Sequence, residues 1–169
     1  PAYPELVKAV IDGDPLLLKD GRIVRPIRIV APDLDRKVQR SQPFAKAAKN
    51  RLRDLVRESG WSVRLEPGIV DEDQYGRKLA HVFNKEGRNL ARDLLMTGSA
   101  TLMVFPPNTR YVEEFKRAQA DAKRQGLGLW RHTLKSPIRV SELGSSDLDT
   151  VWVAGKVSAI RFRRYAVFI

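Results

Sequence analysis

The chain has 169 residues, 43% of them hydrophobic, enough for one medium domain and part of a second, with a core that needs neither disulfide nor metal. It contains no cysteine, which excludes thiolate zinc sites, disulfides and thiol catalysis, and no apolar run approaches the roughly 18 residues of a membrane helix, so no membrane partner is expected. Lysine and arginine number 31 against 20 acids, a formal +11 with a pI near 10.3, and a field of that sign steers polyanions, nucleic acid first, towards the surface.

Short apolar runs at Val7–Ile11 and Leu16–Lys19 read as strands. "KDG" at Lys19–Gly21 is a turn, and Ile23–Val30 follows as a third strand, a hairpin or meander over Leu16–Val30. Pro26 has no N–H to give a ladder, which implies an edge or a bulge there. "SQPFAKAAKNRLRDLVRESG" then changes to helical spacing through Phe44, Ala47, Ala48, Leu52, Leu55 and Val56. Ser41 is its candidate cap, Pro43 suits its first turn, and Gly60 stops it. "WSVRLEPG" and "KLAHVF" (Lys78 to Phe83) alternate as strands. Helices follow from Asn89 to Thr97, ended by Gly98, and from Thr109 to Gln125, capped by Asn108 or Thr109 and ended by Gly126. Strands, a helix, more strands and two helices make an α+β chain, with strands enough to close a small barrel.

After Trp130 the periodicity fades. Residues 132–150 read as a linker, and 151–169 as a strand, a basic turn and a second strand, a β-hairpin. A lone hairpin is marginal in water, so this one is expected to open a second domain that the chain does not complete. The start at Pro1, without methionine, leaves a secreted or periplasmic location open if a leader was removed.

Three clusters carry chemistry. Asp12-Gly13-Asp14 pairs carboxylates beside a glycine, which suits either a hard cation or a tight solvated turn. "VRPIRIVAPD" sets Arg25 five residues before Val30, with Asp33 just beyond. "DEDQYGRKLAHVF" places Tyr75, Gly76 and Arg77 at the entry to a strand, where an arginine can clamp a phosphate.

In this order and spacing, "IDGDP", "RPIRIVAPD" and "DQYGRKLAHV", with "PFAKAAKNRLRDLV" and "GLGLW", resemble the staphylococcal nuclease (thermonuclease) family from about Val7 to Arg131. The resemblance implies a five-stranded OB-type β-barrel with three helices over residues 1–131, and metal-dependent hydrolysis of DNA and RNA phosphodiesters. It implies that Asp14 stands at a calcium site with Asp12 nearby. It implies that Arg25 and Arg77 brace the phosphate, that Asp33 orients or deprotonates water, and that Tyr75, Arg25 and Arg77 contact nucleic acid.

The chain departs from the family pattern at the metal. Val30 replaces the second ligand aspartate, and Asp33 replaces glutamate, one methylene shorter. Pro15 replaces a threonine, and Arg28 stands where the family carries glycine or an apolar residue. A base drawn back by that length loses on the order of 100-fold in rate. Asp35 offers a substitute carboxylate two residues on. His81 and His132 lack a partner cluster and are read as packing or surface residues.

Two functions follow. One is a binding module for single-stranded DNA or RNA that grips but does not cut, with no cofactor expected at ordinary concentrations. The other is an active endonuclease using Ca2+. A third role, as scaffold for a protein partner or a missing C-terminal domain, takes what remains.

Overall fold

The structure, a computed structural model, describes residues 4–34, 44–104, 106–131, 138–139 and 153–154. Five strands close a barrel in the order β1 (Glu5–Val10), β2 (Leu16–Leu18), β3 (Ile23–Pro26), β6 (Lys78–Phe83) and β5 (Ser62–Glu72). All neighbours run antiparallel except β3 and β6, which pair in parallel. The interior is built by Leu16 and Leu18, alternate residues of β2, by Val24 of β3, and by Val7 and Val10 of β1, which are both buried because the β1 register shifts between Val7 and Ala9. The expected OB-type barrel with three helices is present.

The expected third strand is in fact two. After Pro26 the chain turns through Ile27 and Arg28, and Ile29–Val30 forms β4, paired with β7 (Thr101–Leu102). Arg28 sits at φ 73, a left-handed conformation that ends the strand. Pro26 is the last residue of β3 and pairs on one side only, with Ala80 of β6; the ladder to β2 has already stopped at Val24, so its missing N–H falls where no β2 partner stands.

Helix α1 (Ala45–Glu58) buries Ala45, Ala48, Leu52, Leu55 and Val56 against the barrel, and turns Lys46, Arg53 and Arg57 to solvent. Ala47 is exposed. Phe44 holds the N-cap position without a side-chain bond; Ser41 and Pro43 lie outside the described residues. Helix α2 (Leu90–Met96) is capped by Asn89, whose side chain accepts from the Ala91 N–H at 3.0 Å. Helix α3 (Val112–Gln125) begins from Tyr111, again without a side-chain cap, and ends at Gly126. The expected cap Asn108 is used elsewhere: its amide brackets Val70 on β5, accepting from the N–H at 3.1 Å and donating to the carbonyl at 3.0 Å. A 3₁₀ turn, Gly128–Arg131, packs Trp130 into the core.

Beyond it, β8 (Ile138–Arg139) and β9 (Val153–Ala154) pair in parallel, the first within the stretch read as linker. The rest of the expected hairpin, with His132 and Asp35, lies outside the described residues.

Candidate functional site

The aspartates of "DGD" sit in the bend between β1 and β2, not within a strand. They do different work. Asp12 accepts from the Gly13 N–H (2.8 Å) and, across 22 residues, from the Leu34 N–H (3.1 Å), so it ties down the segment that leaves β4. Gly13 is required by closeness: a Cβ there would lie 2.6 Å from the Ala31 Cβ and 3.2 Å from that of Ala48. Asp14 is the site aspartate. It is only 7% exposed, and its Oδ2 meets the Arg25 Nη2 at 3.3 Å. Burial pushes the Asp14 carboxyl above its ordinary range and the Asp33 charge adds to that push. Arg25, an N–H bond from Ala31 and Arg77 pull the other way. Asp14, Arg25, Asp33 and Arg77 thus lie within electrostatic reach of one another.

Register explains the arginines. Arg25 pairs with Leu79 across the parallel β3–β6 ladder, which brings it towards Arg77, the residue just before β6. Both line a cavity of about 520 Å³ with Tyr75, Asp73, Val30 and Met103. Arg77 is held by Asp73, whose carboxylate takes the Arg77 Nε–H at 2.7 Å, the Arg77 N–H at 3.1 Å and the Tyr75 N–H at 2.9 Å. Burial raises the Asp73 pKa, but those bonds outweigh it and hold the carboxyl below the usual range. Tyr75 is 73% exposed, with the Arg77 guanidinium 5.2 Å from its ring centroid. An aromatic face beside a fixed guanidinium suits a stacked base beside its phosphate.

Asp73 and Asn108 are positioning residues that the sequence reading missed. Asp73 stands four residues before Arg77 in a tight turn, a spacing at which Asx side chains bond forward to the backbone; that signal was present. Asn108 acts across 38 residues and had none.

Val30 lies half-buried on β4 with a hydrocarbon side chain, while Asp33 is exposed. Arg28 is 4% exposed, and none of its three guanidinium nitrogens has a hydrogen-bond partner among the described residues. Burial pulls its pKa down from the usual value. His81 is 2% exposed, packed edge-on against Tyr111 at 4.7 Å and Phe115 at 6.1 Å, away from any metal-binding cluster among the described residues.

A family model described as a staphylococcal nuclease homologue matches residues 23–132. The chain belongs to the staphylococcal nuclease family. It is 35% identical over 130 residues to the thermonuclease of Staphylococcus intermedius, covering 74% of each chain. It is 31% identical over 124 residues to the SPbeta prophage-derived endonuclease YokF of Bacillus subtilis (strain 168), covering 71% of this chain and 41% of that protein. Endonuclease YncB of the same organism is 30% identical over 124 residues, 71% of this chain and 58% of the relative. The chain therefore spans well under two-thirds of both Bacillus proteins.

The calcium that the staphylococcal nuclease family implies can be tested against the donors present. A calcium ion takes about six to eight oxygens. Among the described residues no group of three or more His, Asp or Glu is disposed to hold a metal. Val30 contributes no side-chain oxygen, and an Asp14 oxygen already faces Arg25. This donor set does not fit a hard divalent cation.

Proposed function

We propose that residues 1–131 form a nuclease-like module that binds single-stranded DNA or RNA and whose phosphodiester hydrolysis is impaired or lost, with 132–150 a linker and 151–169 the start of a further domain. The observation that carries this reading is the Asp14–Arg25 ion pair beside Val30. A phosphate clamp of Arg25 and Arg77 persists, with Tyr75 at its mouth, where the metal's oxygens do not. In this reading Arg25 and Arg77 hold the phosphate, Tyr75 stacks a base, and Asp33 falls short of activating water. The exposed basic face of α1 (Lys46, Arg53, Arg57) extends the electrostatic track.

Contacts of this kind release counterions, so affinity falls steeply with salt and depends little on sequence. By anisotropy, micromolar binding of a single-stranded oligonucleotide near 50 mM salt and near-complete loss by about 300 mM are expected. Arg77→Ala should lower affinity evenly across sequences and reduce the salt slope by about 1. Cleavage of plasmid and of single-stranded RNA across a calcium titration should stay at background.

The second reading is an active metal-dependent endonuclease, favoured by the endonuclease and thermonuclease names of the relatives. Degradation of single-stranded DNA within minutes in calcium, stopped by a chelator, would establish it. Neither cutting nor binding at low salt would leave a scaffold.

A further inference from the structure

A second cavity, of about 420 Å³, shares a wall with the cavity that holds Arg25 and Arg77. That wall is one strand and one side chain thick. Val70 of β5 and Asn108 line the arginine cavity, while Ile69 and the same Asn108 line the second. Successive strand residues point to opposite faces, so β5 presents Val70 to one cavity and Ile69 to the other. The Asn108 amide fixes the wall by accepting from the Val70 N–H at 3.1 Å and donating to its carbonyl at 3.0 Å.

The second cavity has a different chemistry. Its ionised groups cancel: Glu66 accepts from Arg110 and from the Tyr111 hydroxyl at 3.1 and 3.2 Å. Burial raises the Glu66 pKa, but those bonds outweigh it and keep the carboxylate ionised beside Arg110. His81, also in the lining, is neutral because burial disfavours its charged form. The ring is 2% exposed, and its Nδ1 has no hydrogen-bond partner among the described residues. A buried polar atom left unmatched is costly. Ile69, by contrast, is 78% exposed, an apolar side chain left to water at the cavity's edge. A flat, uncharged ring with polar atoms on its rim answers both groups. A phosphate would find no spare positive charge inside, and no metal-holding cluster exists among the described residues. The Arg110 side chain is 66% exposed at the rim, and a guanidinium carries five N–H donors, so Glu66 does not exhaust it.

We propose that this cavity is a base subsite, taking the nucleobase next along the strand from the nucleotide at the Arg25–Arg77 cavity. The base lies over Ile69 with its polar edge at His81, and the backbone between the two bases passes Arg110. The inference rests on the binding-module reading and deepens it, adding to a salt-sensitive clamp one contact that carries no charge.

The test uses short single-stranded DNA in which most residues are abasic, so that every probe keeps the same phosphates and the same charge. Binding is followed by anisotropy at low salt in chelator. A strand bearing one base measures the first contact, and restoring the neighbouring base measures the second. Wild type should gain roughly tenfold in affinity from that second base, within the range of one added base contact. His81→Phe keeps a ring but removes the polar edge, and should cut the gain by about threefold or more. Ile69→Ser, at an exposed position where substitution leaves the fold intact, should lower it as well.

The proposal is overturned if the second base adds less than about twofold in wild type, or if either variant keeps the whole wild-type gain. If wild type fails to bind even a strand that carries all its bases at low salt, the binding-module reading itself has failed. Binding of that strand without any gain from the second base removes the subsite alone.

Discussion

Val30→Asp together with Asp33→Glu is expected to give the chain a calcium response stronger than that of the wild type. The backbone of Val30 is already held in place: β4 pairs with β7, and the Thr101 hydroxyl donates to the Val30 carbonyl at 3.2 Å. A carboxylate at position 30 would start from a half-buried, fixed strand rather than a loose loop. Without calcium, the extra negative charge adds to the desolvation and Asp33 repulsion already raising the Asp14 pKa. The apo variant should therefore melt lower than wild type. Calcium should reverse this, since ligand at about 100 times its Kd stabilises by about 2.7 kcal/mol. A Tm rise in calcium for the double variant, absent in wild type, is the expected outcome, with calcium-dependent cutting rising above background. A wild-type calcium Kd tighter than about 0.1 mM, the strong edge of extracellular modules, would show that Asp14 never lost its ion.

The second large effect is on stability against pH. His81 is held neutral by burial, its pKa lowered to about 4; the Glu66 charge raises it, and Arg28 and Arg110 lower it. The groups around it are Glu66, Arg28, Arg110 and the rings of Tyr111 and Phe115. The unfolded chain takes up the proton near the ordinary 6.5. The folded chain refuses it until about 4, so stability is full above pH 6.5 and is lost as pH falls towards 4. The gap corresponds to about 3 kcal/mol. Asp14, with its pKa raised in the fold, works in the opposite sense and returns part of this as pH approaches the ordinary aspartate value of 3.8. Urea unfolding at about pH 7.5, 5.5 and 4.5 should show the decline, and His81→Phe should flatten it with little change at neutral pH. An equally steep decline in the Phe variant would move the cause elsewhere.

Much of this architecture was legible in the sequence because the signals were local. Alternating runs gave the barrel strands, and glycine ended the helices at positions 60, 98 and 126. What escaped was set by tertiary contacts. Phe44 and Tyr111 begin α1 and α3 from left-handed conformations that no capping rule would select. Tyr111 does so while its hydroxyl bonds the Glu66 carboxylate (3.1 and 3.2 Å) and its ring packs on His81. The break after Pro26 was hidden because Ile27, Arg28 and Ile29 keep a strand-like texture, and only the pairing of β4 with β7 separates them. In the site, residue identities showed the missing oxygen at position 30, but nothing in the text of "DGD" showed that Asp12 serves the loop and Asp14 the cavity.

The barrel is closed by a narrow seam, in which β1 meets β5 through Glu5 with Val63 and Leu6 with Ser62, beside a Val7 N–H to Trp61 carbonyl bond of 2.8 Å. A closed barrel offers no free strand edge to another molecule; one whose seam parts offers two. The chain's defence at that moment is the mutual repulsion of copies that each carry a formal +11. Salt shortens the reach of that repulsion to about 3 Å at 1 M. Warmed copies are thus expected to self-associate edge to edge more readily as salt rises, which favours handling the free protein at low salt.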